Sequence, residues 1–206
     1  PSQLTKAEVR IDPITIGGEK VAQRIVLLSQ IGYDDPYRAV TNNKGIMNGV
    51  DAVLIATGND YRAIENATAV LANRDGQYRS LSKWTMKDDK LVGELTLPMA
   101  IGVVGGSIKA RRDVQQSFSI LGKNITSQTL GEIITSIGLA NNLAALLAIS
   151  TVGIQAGHMK LQARNVVAEL DATEEEKKTI LNKMIEEKNY SESHAKGILE
   201  KLREEK

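Results

Sequence analysis

The sequence predicts an α+β fold, with helices packed on a small antiparallel sheet and a separate helical segment at the C-terminal end. Three observations carry that prediction. One early segment alternates apolar and charged residues, and two strand-like runs flank a tight polar turn. Most of the remaining chain keeps helical apolar spacing, and its character changes to charged amphipathic helices after Gly153.

Taken in order, "AEVRID" sets Ala7, Val9 and Ile11 against charged neighbours, as a half-buried strand does. "GGEKVAQRIVLLSQIG" places Val21, Ile25 and Leu28 on one helical face, with Gly32 as the stop. "YDDPYRAV" reads as a break, where Pro36 disfavours helix at Asp35 but is tolerated at a helix start. From Asn43 to Thr57 the helical stripe is Ile46, Val50, Val53 and Leu54, ended by Gly58. "DYRAIENATAVLANRDG" is a second helix with Ile64, Ala67, Val70 and Leu71 inward. "SLSKWTM" and "KLVGELTL" flank residues 87–90 as a hairpin, with Leu91, Gly93, Leu95 and Leu97 on one face.

A glycine-rich connection, "PMAIGVVGGSIKA", leads to two helices. The second contains Thr129–Glu132, a capping-box pattern expected to start it, and is rich in small residues that allow close helix approach. Beyond Gly153, Thr173–Glu176 is another capping box. Ile180, Leu181, Met184 and Ile185 face Ile198, Leu199 and Leu202 across a charged helical hairpin. The expected organisation is a domain over 1–152 and a small helical one over 153–206.

Composition excludes several classes. With 26 basic and 25 acidic residues in 206, no charge excess points to nucleic acid or a membrane surface. Five tyrosines, one tryptophan and one phenylalanine offer little surface for stacking bases. The absence of cysteine removes disulfides, thiolate metal sites and cysteine nucleophiles. Two distant histidines do not make a metal site. "IGLANNLAALLAISTVGI" is expected to be too short and too interrupted to span a membrane, and no signal peptide opens the chain. The expectation is a soluble, cytoplasmic protein without metal.

Lys44 is the first candidate for chemistry, because no carboxylate lies three or four residues from it. On a helix it shares a face with Asn48 and Asp51. It is either a surface lysine reaching for water or a lysine buried among amides and aimed at a carbonyl oxygen. Spacing leaves both open. Asp60 is either the N-cap of the following helix or a reactive carboxylate. Arg38 pairs with Asp34 or Asp35, or else awaits an anion. His158 is structural or catalytic, and His194 is read as solvated. "GVVGGSIK" fails both phosphate-loop patterns and reads as a turn, with backbone N–H groups that could still face a ligand.

Taken together, "DPYRAVTNNKGIMNGVDAVLIATGND", "GQYRSL", "LPMAIGVVGG" and "GIQAGHMKLQARN" resemble 3-hydroxy-3-methylglutaryl-coenzyme A (HMG-CoA) reductases of the soluble bacterial and archaeal class. The likeness runs from about Ala7 to the C-terminus, with the N-K-G-x-M-N-G, G-N-D and G-x-x-x-G-H-M blocks in order.

That resemblance implies reduction of a thioester to mevalonate with release of coenzyme A, using two hydrides from NADPH or NADH. It implies Lys44, Asp60 and His158 as catalytic residues, for carbonyl protonation, the network around the lysine and the leaving thiolate respectively. Arg38 then meets the substrate carboxylate, and Asn48 is a substrate amide. Asn141 stands where relatives often carry a substrate-contacting glutamine. Asn42 and Gln162 replace histidines seen in relatives. By the same resemblance this is the C-terminal part of the enzyme. The catalytic glutamate and the dinucleotide domain lie upstream, residues 153–206 form a flap, and active sites lie between subunits of a homodimer or larger assembly. The alternative reading is a non-catalytic assembly or binding module derived from this fold.

Overall fold

The computed structural model describes residues 3–122, 124–151 and 153–204, and the backbone alone for 106–107 and 154–158. The chain divides into two compact units, Pro1–Thr151 and Val152–Lys206. The first contains a three-stranded antiparallel sheet in the order β1 (Leu4–Ile11), β3 (Lys90–Pro98), β2 (Ser82–Lys87), with Ala7 opposite Leu95 and Trp84 opposite Gly93. Its helices are α1 (Glu19–Asp34), α2 (Pro36–Ala56), α3 (Tyr61–Ala72), α4 (Gly106–Ala110), α5 (Arg112–Leu121) and α6 (Ser127–Ser150). The α+β expectation holds.

The hairpin forms where the sequence placed it. Asp88 and Asp89 adopt φ of 50° and 57°, the double left-handed geometry whose twist matches a two-residue hairpin. Gly93 is required by its neighbour, since a methyl there would overlap the fully buried Trp84 ring. Gly138 on α6 and Gly49 on α2 let those helices approach closely. A Cβ on Gly138 would stand 3.0 Å from Val50, and one on Gly49 would stand 3.0 Å from Asn141.

Several expectations need correction. The break falls at Asp35, between α1 and α2, and Pro36 starts the second helix, as a proline at a helix start can. Asp35 accepts from the Tyr37 N–H at 2.9 Å as the N-cap and Pro36 occupies the first turn, so α2 begins well before Asn43. Gly32 does not stop α1. It is buried, with its Cα face toward Ser80 and Asn42, and α1 runs on to Asp34. On α3 the inward residues are Ile64, Thr68, Leu71 and Ala72, whereas Ala67 is exposed and Val70 is 74% exposed. The α6 cap is Thr126, which accepts from the Thr129 N–H at 3.0 Å, three residues before the expected start.

The length argument against a membrane span also fails. α6 has 24 residues and is long and apolar enough by length and composition. It packs on α2, α1, β1 and β3, with Leu130, Ile134, Leu139 and Leu146 buried in the first unit's core.

The second unit comprises α7 (Ile154–Ala168), α8 (Glu174–Glu186) and α9 (Glu192–Glu204), around Ala163, Val167, Ile180, Met184 and Ile198. His194 is not solvated as expected but lies 2.6 Å from Glu187. The capping box at Thr173 is as read from the sequence, with the Glu176 carboxylate accepting from the Thr173 N–H at 2.9 Å. That bond, followed by Arg203, holds the Glu176 carboxyl down to about 2 from an ordinary 4.5. Because the folded value is depressed, the stabilisation is complete above about 4.5 and is lost as pH falls toward 2. Amide exchange along α8 in the full chain is expected to accelerate across that window, and Glu176→Gln is expected to flatten the dependence. An equally steep dependence in the variant would contradict this origin.

Candidate functional site

The site is built on α2, and what fixes α2 is a buried chain of amides. Asn42 donates to Ser80 Oγ at 2.6 Å and to Ser82 Oγ at 3.2 Å. Asn142 on α6 donates to Asn42 Oδ1 at 2.8 Å, and Trp84 Nε1 donates to Asn142 Oδ1 at 2.7 Å. Asn43 bridges the segment before β2, donating to the Arg79 carbonyl and accepting from the Leu81 N–H. Buried polar groups paired this fully pin helix register, because any slip leaves several of them without partners. Asn42, which stands in place of a family histidine, is thus a framework residue on the buried side of α2.

With Asn42 and Asn43 turned inward, Lys44 faces out. It is exposed, as is Asn48 one turn on, and Asp51 a further turn along is half-buried. The buried-lysine reading is therefore not what the structure has. Among the described residues no carboxylate pairs with Lys44 or with Arg38 in the first turn of α2. The acids beside Arg38 are engaged elsewhere, since Asp35 caps α2 and Asp34 accepts from Gln30 Nε2. Asn141 is brought to the same region, donating to the Gly45 carbonyl at 3.3 Å.

Asp60 is the N-cap of α3, with Oδ1 accepting from the Ala63 N–H at 3.1 Å. Its turn is fixed from both sides. Gly58 takes φ of 68°, and Asn59 pairs with both the N–H and the carbonyl of Gly102. That pairing uses the Gly102 N–H of the glycine-rich segment, and α4 beyond it has only five residues. Lys44 and Asp60 are not brought together within one chain. α2 continues from Lys44 to Ala56, roughly 18 Å at ~1.5 Å per residue, before the turn to Asp60.

His158 lies in α7, and its side chain falls outside the described residues. Gln162 is exposed on the same helix. The Asp51 carboxyl is pushed up to about 6, first by burial and then by the neighbouring Glu65 carboxylate of α3. Sequence reasoning placed Asp51 on the lysine face but missed this partner, and it missed Asn142, Ser80 and Ser82 in the amide chain. Asn142 had a signal in retrospect, as an amide amid an apolar helix needs a partner. Arg38, Lys44, Asn48, Asp51 and Asp60 line none of the described cavities, of which the most apolar, about 720 Å³, lies between Leu4, Val70, Leu71 and Met99.

Comparison with known proteins bears on this arrangement. A family model described as hydroxymethylglutaryl-coenzyme A reductase matches residues 3–163. The chain is 41% identical over 202 residues to the 3-hydroxy-3-methylglutaryl-coenzyme A reductase of Archaeoglobus fulgidus, covering 98% of this chain and 46% of that protein. It is 40% identical over 187 residues to the probable reductase of Borreliella burgdorferi, covering 89% and 43%. Among solved structures it is similar to the reductase from Streptococcus pneumoniae, with a TM-score of 0.71 and 45% identity over 97% of this chain and 49% of that one. The class II enzyme of the same organism, bound to NADPH in open conformations, matches with the same score and identity. The chain spans about half the length of the relatives it matches.

Proposed function

The chain belongs to the hydroxymethylglutaryl-coenzyme A reductase family, and from that premise we propose that it supplies the proton-handling and carboxylate-binding part of a reductase centre. The reaction converts HMG-CoA to mevalonate and free coenzyme A, consuming two nicotinamide hydrides and two protons. The observation that carries the reading is the pair of cations on α2. Among the described residues Lys44 and Arg38 stay free of carboxylates, while the nearby acids are spent on caps and on Gln30. A cation kept unpaired is available to an anion or to an oxygen that gains negative charge.

In this assignment Lys44 donates to the substrate carbonyl oxygen as charge develops there. Arg38 holds the free carboxylate, and Asn48 and Asn141 orient the substrate beside Lys44. The Asp60 carboxylate retains an oxygen not used by its cap bond, and this one serves the lysine. With roughly 18 Å of helix between them, the Lys44 and Asp60 that cooperate belong to different copies, which argues for at least a homodimer. Residues 153–206 act as the flap carrying His158, which protonates the departing thiolate. A free thiol has a pKa of about 8.5, so an imidazolium makes it a better leaving group at neutral pH. By the family resemblance, binding of NADPH or NADH and the catalytic glutamate are assigned to the part of the relatives that this chain does not span.

His158→Ala tests the reading. In a complete reductase it is expected to reduce thioester turnover by about 10²-fold or more, while reduction of the free aldehyde, which releases no thiolate, falls far less. Equal losses on both substrates would remove the thiolate role.

A further inference from the structure

On the face of α2 that carries Lys44 and Asn48, Asp51 Oδ1 is closed to solvent and has no hydrogen-bond donor. The group it meets is the Glu65 carboxyl of α3, five residues after Asp60. Two carboxylates offer only acceptors, so a bond between them needs one proton. Among the described residues α1, α5 and α6, which also pack on α2, add no charge that acts on Asp51, and α3 adds Glu65 alone. Among the described residues no cation pairs with either acid.

We propose that Asp51 and Glu65 are positioning residues that share one proton, tying α2 to α3 and thereby setting the angle at which α3 presents Asp60 to the Lys44 of another copy. The positioning role rests on the reductase reading, whereas the shared proton does not. α3 starts at Asp60, so a change in its angle to α2 moves that carboxylate relative to the body of its own unit, and so relative to the Lys44 of the other copy that it serves. While one proton is held, the carboxyl–carboxylate bond draws the helices together. Once both groups ionise, like charges push them apart. Asp51 titrates at about 6 against an ordinary 3.8. Because the folded value is raised, the stabilisation is complete below about 3.8 and is lost as pH rises through about 6. A reductase using this tie loses turnover over the upper part of that rise.

Two measurements test it. In the 206-residue chain labelled at its carboxyl carbons, Asp51 is expected to titrate near pH 6. In Glu65→Gln, Asp51 is expected to return toward the ordinary range. An Asp51 that titrates in the ordinary range in the unaltered chain overturns the shared proton, whatever the chain's activity. In the complete enzyme, Asp51→Ala is expected to lower kcat roughly tenfold with KM little changed, since small misplacements act on turnover. Asp51→Asn, whose amide donates to Glu65 at every pH, is expected to restore kcat and abolish its decline above pH 6. Equal losses in both variants with an unchanged pH profile overturn the positioning role. The expected titration in an enzyme that reduces no thioester overturns the reductase reading, and the positioning role with it.

Discussion

Replacing Lys44 with alanine in a complete reductase is expected to lower turnover by about 10²- to 10³-fold, the loss that follows removal of one donor aimed at a developing oxyanion. The same change is expected to leave the fold intact. Lys44 is exposed, has no carboxylate partner among the described residues, and sits in a helix whose register is held by Asn42 and Asn43 on the opposite side. Alanine is the best helix former, so the helix itself does not suffer. Parallel measurement of kcat and of the thermal midpoint separates the two effects. Near-normal turnover would remove Lys44 from the chemistry, and a collapsed midpoint would make it structural.

The second large effect concerns stability. Trp84→Ala is expected to destabilise the first unit by about 3–5 kcal/mol, the range for removing a buried aromatic side chain. Trp84 is 1% exposed, fills the space Gly93 leaves, and satisfies Asn142 Oδ1 through its indole N–H at 2.7 Å. Without it, Asn142 loses a donor in a site closed to water, and Asn142 is what holds Asn42. Trp84→Phe isolates the polar part. It keeps much of the bulk and deletes the N–H, so about 1–3 kcal/mol is expected. Urea denaturation of both variants resolves the difference. A phenylalanine variant as unstable as the alanine variant would mean that the indole bond, rather than packing, dominates.

What the sequence made legible follows the range of the interaction that decides each feature. The hairpin at Asp88–Asp89 and the capping box at Thr173 are settled within four residues, and both were readable. The start of α2 was also local but ambiguous. Pro36 breaks a helix in its interior and begins one in its first turn, and only the Asp35 cap distinguishes the cases. Gly32 gave a false stop because its reason is tertiary, the approach of Ser80 and Asn42 to its missing Cβ.

Site residues divide in the same way. The face shared by Lys44, Asn48 and Asp51 is helical arithmetic, and the structure has it. Whether Lys44 was buried was not arithmetic, because it turns on Asn42 and Asn43 finding partners 36 to 100 residues away. The Asp51–Glu65 contact depends on how α3 folds back along α2 and leaves no periodic trace. Asp60 was offered as cap or catalyst, and the structure has it as a cap with one carboxylate oxygen still unspent. For Lys44 and His158 the pointer to chemistry was the ordered set of motifs, since spacing singles out neither.

The most direct test is thioester-dependent oxidation of NADPH or NADH by this chain combined with the remaining half of a reductase, beside the same mixture carrying Lys44→Ala. The account predicts oxidation that depends on HMG-CoA, with two cofactors oxidised per coenzyme A released, and its near-complete loss in the variant. No HMG-CoA-dependent oxidation with the unaltered chain, or an equal rate with Lys44→Ala, would contradict it.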